Sequence, residues 1–256
     1  MWTEQIGAVL DGVREAGAAV IGFDIILPTS VASLDRTYDR EFLLALRRAA
    51  NENKIVLAKV QHQVKPIAPF PSQSVAVSHQ RNIRSVNLNV DTDGIIRHVP
   101  LFFDAKNSDG TVRQETSLAL ELAPRKAGEA PRIDSKGGAE FLGDYRIPGG
   151  RNNTLSVNFD GGASIPTFSI ADIHACVAAG NEDFLKQIFE EKSCCLASCS
   201  TSKTANSRPN VLLPRRRATT STRGVCCRRL ISFTESPMRA IQFPASIFTP
   251  RRSTIY

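Results

Sequence analysis

The run Asp91-Thr92-Asp93-Gly94 sets two carboxylates two residues apart at a tight turn, which is how a calcium-binding loop begins. Such a loop needs further oxygen ligands at fixed spacing and a bidentate glutamate at its twelfth position. The twelfth position from Asp91 is Phe102, so the run is read as a hairpin turn and no metal or cofactor is expected. The four histidines, His62, His79, His98 and His174, show no paired ligand spacing of the HExxH kind. No GxSxG elbow, phosphate-binding P-loop or GxGxxG run is present, and Gly149 to Asn153 reads as a loop. Nothing assembles a nucleophile with a base, so the chain is read as a non-enzyme.

Asp24 is the more informative acid. It lies inside the apolar run Val20 to Leu27, where a carboxylate must find partners or be costly. At the carboxyl end of a parallel strand it would face the crevice where α/β folds bind ligands. It could equally cap a neighbouring helix or pair with an arginine. Asp35 and Asp39, on either side of Tyr38, could line the same rim or simply open a solvated helix.

The elements that must position these residues are legible in the apolar spacing. Ile6, Val9, Leu10 and Val13 recur at helical intervals, and Gly17 follows as a stop. Residues 18–27 form a continuous apolar run ended by Pro28, the signature of a strand buried on both faces. Asp39 to Ala50 places Phe42, Leu43, Leu46 and Ala49 on one helical face, and residues 54–60 (KIVLAKV) repeat the buried-strand pattern. Strand, helix and strand at that spacing predict a right-handed parallel βαβ unit. Residues 85–90 and 95–103 flank the Asp91–Gly94 turn and predict an antiparallel hairpin over residues 85–103. A helix over 115–123 is expected to stop before Pro124, a short strand to follow at 155–159, and Ser169 to cap a helix closed by Gly180. Residues 182–192 read as a last helix, and the lone body cysteine, Cys176, as a small buried hydrophobe. The fold class is therefore α/β, a mixed sheet with helices packed on it.

The chain changes character after Lys192. Residues 193–256 hold eleven Lys and Arg against one acid, Glu235, which leaves 21 basic and 24 acidic residues in the first 192. The formal charge of +7 thus sums a mildly acidic body and a tail near +10. Five of the six cysteines lie in that tail, two adjacent pairs (Cys194–Cys195 and Cys226–Cys227) and Cys199, and the pairs lack zinc or dithiol spacing. Two regions follow, a globular domain over 1–192 and a basic tail over 193–256 that is too poor in apolar residues to order itself. The body has no apolar run of about 18 residues that could span a bilayer, and the N-terminus lacks the features of a signal peptide. The fragment as written is expected to stay in the cytoplasm.

Taken in order, the segments VIGFDIILPTS, DREFLLALRRAANENKIVLAKV, VNLNVDTDGIIRHVPLFF, SLALELA and LSVNFDGGASIPTFSIADI resemble the CHASE sensor domain, second subfamily, over nearly all of residues 6–192. CHASE abbreviates a cyclase- and histidine-kinase-associated sensory extracellular domain. The most specific piece is D-x-D-G-x-x-R-x-x-P-L, here Asp91, Asp93, Gly94, Arg97, Pro100 and Leu101, supported by Asn158, Phe159 and Thr167 to Ser169. The resemblance implies a lobe outside the cytoplasmic membrane of a bacterial receptor that senses an undefined small-molecule or protein stimulus. Membrane helices of the parent would anchor it, and the parent could be a homodimer. The implied output is a nucleotide cyclase, with a histidine or Ser/Thr kinase as the alternative. The family's ligands are largely undefined, so it transfers no binding residues.

The tail admits three readings: a disordered basic segment, a nucleic-acid-binding arm built on Arg215 to Arg217, or text read out of frame. Shifting the possible codons two bases from Lys192 onward permits an apolar strand and an acidic turn, V-V-L-P-G-I-V-L-D-V-E-D-R, which resembles cyclase-linked members. The same offset over residues 244–256 permits G-V-Y-I-H-A-T-A-I-N-N-L, close to the family's closing segment. Two such matches in one frame favour the third reading, a truncated and frameshifted receptor fragment. No nucleic-acid partner is then expected, and the sheet is expected to lack its closing strand.

Overall fold

The structure, a computed structural model, describes residues 3–30, 35, 37–62, 66–106, 112–133, 139–149, 153–157 and 165–197. The chain opens with α1 (Thr3–Glu15), β1 (Val20–Asp24), α2 (Arg40–Asn51) and β2 (Ile55–Lys59). A short helix α3 (Pro71–Ala76), a 3-10 turn (His79–Asn82) and β3 (Ile83–Ser85) follow. β1, β2 and β3 are parallel neighbours, so the strand–helix–strand spacing is met by the expected pairing.

The central sheet has the order β11-β1-β2-β3, where β11 is Ser193–Ala197 and pairs parallel with β1. The sheet therefore runs five residues past Lys192, and the expected gap beside β1 is filled. The reason lies in the alternation of Ser-Cys-Cys-Leu-Ala. Cys194 and Leu196 pack on the main core as small and medium hydrophobes, while Cys195 lies exposed on the opposite face. Burial pushes the Cys194 thiol up to about 12, which keeps it protonated.

Two helical layers cover this sheet. On one face Leu10 and Val13 of α1, Phe42 and Leu46 of α2, Ile173 and Cys176 of α5 (Ile170–Ala178) and Leu185 of α6 (Glu182–Phe189) meet Ile21, Phe23, Ile55 and Leu57 of the strands. Gly7 lets α1 close on α2, since a Cβ there would stand 2.9 Å from the Phe42 Cα. Ser169 caps α5, its Oγ accepting from the Ala171 amide at 3.2 Å, and Gly180 follows at φ 67°. The other face is covered by α4 (Leu118–Ala127), whose Leu118 meets Val56 and Ala58. Gly22 has no side chain where Leu122 approaches, at 2.7 Å from where its Cβ would be.

α4 departs from the expected helix at both ends. Residues 112–116 are strand β6 (Val112–Thr116), and the helix starts only after Ser117, whose Oγ accepts from the Leu120 amide. It then runs through Pro124 and ends at Gly128, φ 72°, whose amide reaches the Pro124 carbonyl. A proline lacks the amide of an interior turn. Arg125, anchored to the Ile55 and Asn53 carbonyls, holds the turn that follows it.

Among the described residues the antiparallel strands form three satellites, apart from a single antiparallel bridge between Val60 and Ile67. β4 (His98–Pro100) pairs with β10 (Thr154–Ser156), and β5 (Phe102–Lys106) pairs with β6. β7 (Arg132–Ile133), β8 (Ala139–Leu142) and β9 (Tyr145–Arg146) form the third. Leu101, Phe102, Ala139 and Ile147 join Leu120 of α4 in a second core. Parallel and antiparallel pairings are thus both present, in separate sheets.

Within 85–103 the chain reverses at the Asp91 turn, where the Asp91 amide meets the Ile95 carbonyl (3.0 Å) and Gly94 stands at φ 82°. Its arms are shared out differently from a free-standing hairpin. The first continues from β3 in the central sheet, and the second becomes β4 and pairs with β10.

Candidate functional site

All four central strands point the same way, so their carboxyl ends form one edge. From β1 the chain moves to β2 and β3 on one side, while β11 lies on the other. The strand order thus reverses beside β1, the kind of place where α/β folds bind their ligands. Asp24 is the last residue of β1, opposite Ala197 of β11. Alternation puts it on the Gly22 side of the sheet, the side covered by α4.

The Asp24 carboxyl is half-buried, and that burial pushes it up to about 6. Among the described residues no hydrogen bond or ion pair reaches it. Among the described residues it neither caps a helix nor pairs with an arginine.

The other two acids expected at the rim are occupied. Asp35 is exposed and accepts from the Thr37 amide (2.8 Å) and hydroxyl (2.7 Å), which hold its carboxyl below the usual range. Asp39 is buried at 5 % exposure and accepts from Thr3 Oγ1 (2.9 Å) and Ser30 Oγ (2.5 Å). It ties the N-terminus of α1 to the loop that leaves β1, and it stands at the N-cap of α2 without a side-chain bond to that helix.

A second polar group at the same edge escaped the sequence reading. Lys59 closes β2 at 6 % exposure, and its Nζ donates to Glu115 Oε2 (2.8 Å) and Gln80 Oε1 (3.2 Å). Ser85, closing β3, donates to Glu115 Oε1 at 2.7 Å, and Gln61 Nε2 donates to Ser85 Oγ at 3.0 Å. Asn87 exchanges two hydrogen bonds with the Gln61 backbone (2.6 and 2.8 Å). The available signal was a lysine inside the apolar run of residues 54–60, of the same kind as Asp24; its partner Glu115 is 56 residues away. This group neutralises itself, and among the described residues Asp24 has no counter-charge.

The motif residues of the hairpin do structural work. Arg97 donates to Asp91 Oδ2 (2.8 Å) and to both Asp93 oxygens (3.0 and 2.7 Å). The Arg97 bonds hold the Asp93 carboxyl down to about 2. Pro100 sits opposite Thr154 in β4, and Leu101 is buried in the second core. The two carboxylates that suggested calcium are thus spent on a guanidinium. The histidines lie apart: His62 after β2, His79 in the 3-10 turn, His98 in β4 and His174 in α5. Among the described residues no three His, Cys, Asp or Glu side chains gather as metal ligands.

No helix among the described residues is long and apolar enough to cross a membrane. Arg215 to Arg217, Asn158 and Phe159 lie outside the described residues. No curated protein and no solved structure matches the chain. The family model of the CHASE2 domain matches residues 2–194, which takes in both helical layers, the satellites and the first residues of β11. By that match the chain belongs to the CHASE2 domain family, the extracellular sensory domains of membrane receptors.

Proposed function

We propose that this domain is the stimulus-binding lobe of a bacterial receptor, facing the periplasm, with its ligand seated in the crevice at the carboxyl edge of the central sheet. The observation that carries the reading is the Asp24 carboxylate, without a hydrogen-bond or ion-pair partner among the described residues at the point where the strand order reverses. A fold that satisfies Asp39, Lys59 and Glu121 while the described residues bring Asp24 no partner has a polar group to offer a ligand. Asp35 and Asp39 belong to the same rim as its supports, Asp39 by tethering Ser30 in the loop that leaves Asp24.

The test is a thermal-shift screen of amines, amino acids, sugars and short peptides on the full chain and on Asp24→Asn. The expected result is a compound that raises the melting temperature of the native chain and not of the variant. A compound that protects both equally would move the binding place away from Asp24.

For the parent we propose a class III nucleotide cyclase output, with a kinase second. The support is the out-of-frame text after Lys192, which resembles cyclase-linked members, together with the abrupt charge change there. The family match stops at residue 194, inside β11, where a shift of frame would end it. The shifted text supplies an apolar run at the same place, so β11 would be replaced by a more apolar strand. Translating the gene two bases on tests this: an open frame encoding membrane helices and a cyclase is expected, and early stop codons would defeat it.

A further inference from the structure

Ser78 and His79 stand consecutively in the left-handed region, at φ 61° and 54°. Residues with a Cβ rarely adopt that backbone, and they hold it only where their surroundings enforce it. Both side chains are exposed, so their own packing does not enforce it. The enforcement comes from the backbone on either side. The buried Asn82 donates through Nδ2 to the Val77 carbonyl at 2.8 Å. Arg84 Nη1 holds the Gln80 carbonyl at 2.6 Å, and Arg125 Nη2 holds Asn82 Oδ1 at 2.9 Å and the Arg81 carbonyl at 3.4 Å.

Both guanidiniums converge on one carboxylate of α4. Glu121 accepts from Arg84 Nε at 2.9 Å, from Arg125 Nη2 at 2.6 Å and from Thr116 Oγ1 at 2.7 Å. α4 is itself held between two bodies: Leu118 and Leu122 pack on the central sheet, and Leu120 packs in the core of the satellites. A movement of the satellites against the sheet bears on this helix, as it does on the Glu115 bonds to Lys59 and Ser85.

We propose that α4 is a lever and the Ser78–His79 corner its sprung output. A displacement that draws Glu121 away from Arg84 and Arg125 frees the Gln80 and Arg81 carbonyls, and the strained corner relaxes. The corner also holds Gln80, the partner of Lys59, so its release reaches the carboxyl edge of the sheet. The inference goes beyond the binding reading and does not need Asp24 to touch a ligand.

Amide exchange on the full chain tests it. The reporters are the Val77, Ser78 and Arg81 amides, bonded to Gln73, Val75 and Ser78 carbonyls, against Leu43 of α2 and Ile21 of β1 as references. Arg84→Lys keeps the charge but loses the fork that joins Glu121 to the Gln80 carbonyl. It should speed exchange at the reporters roughly tenfold while the references move less than about twofold. Adding Ser78→Gly with His79→Gly, which accept the left-handed backbone freely, should return the reporters toward native rates. In the native background the glycine pair alone should slow them. Equal acceleration at reporters and references overturns the proposal, as does a glycine pair that slows neither background. The second arm stands even if Arg84→Lys does not fold.

Discussion

Replacing Asp24 with asparagine removes a charge that the fold holds half out of water with no partner among the described residues. Burial raises the Asp24 carboxyl from 3.8 to about 6, so the folded chain binds its proton more tightly than the unfolded chain does. Between those values the unfolded state carries fewer protons than the native state, and stability falls as pH rises. The penalty is absent below the unfolded value and complete above the folded one. At 1.36 kcal/mol per pKa unit the shift corresponds to at most about 3 kcal/mol, and partial exposure trims that toward about 1–2 kcal/mol. Asparagine keeps the shape and escapes the penalty. Urea denaturation followed by circular dichroism should therefore find Asp24→Asn more stable than the native chain by about 1–2 kcal/mol near neutral pH, with the difference vanishing near pH 3.5. A variant that is less stable at neutral pH would mean the carboxylate has a partner, and a difference that does not change with pH would mean that folding does not raise its pKa. The reasoning about an unbalanced charge at the strand reversal would then fail.

Other substitutions test the frame around the site. Glu121→Ala strands the part-buried Arg84 and Arg125 and should cost about 3–5 kcal/mol in the same denaturation assay. Burial pushes the Glu121 carboxyl up, but Thr116, Arg125 and Arg84 outweigh it and hold it below 4.5. Its contribution is therefore complete above that value and lost as pH falls through the lowered one, the opposite sense to Asp24. Gly7→Ala pushes a methyl to 2.9 Å from the Phe42 Cα, a backbone atom that cannot turn away, and should lower stability by about 1–3 kcal/mol. Leu120→Ala opens the second core where α4 meets the satellites and should cost about 2–5 kcal/mol. Its amide exchange should rise first in β5 and β6; a loss spread evenly over the central sheet would contradict the two-core description. Calcium at about millimolar concentration should leave the melting curve unmoved, because Arg97 already occupies Asp91 and Asp93.

Some of the site could be read along the chain and some could not. Asp24 announced itself because a carboxylate inside residues 18–27 contradicts its neighbours, and the structure finds it half-buried at a strand end. Asp39 was chosen for its closeness to Asp35 and Tyr38, yet its carboxylate is spent on Thr3 and Ser30, contacts no local spacing reveals. Lys59 carried the same contradiction as Asp24 within residues 54–60, but its meaning depended on Glu115, in a strand that was read as the start of a helix. Proline lacks an amide, so Pro124 reads as a stop, yet the helix runs on to Ala127 with Arg125 tied to the Ile55 carbonyl of β2.

The chain by itself determined that β1 and β2 are buried strands, that α1, α2, α5 and α6 are helices with one apolar face, and that charge and cysteine content change after Lys192. Each follows from how a residue and its near neighbours meet water, which is written in local spacing. Only the tertiary structure decided that Cys194 and Leu196 complete the sheet, that the hairpin arms are shared between two sheets, and that Glu121 joins two arginines to a strained corner. Those outcomes turn on which distant groups compete for the same hydrogen bonds and the same apolar surface. That competition is resolved when the chain closes on itself, and no window of neighbouring residues contains it.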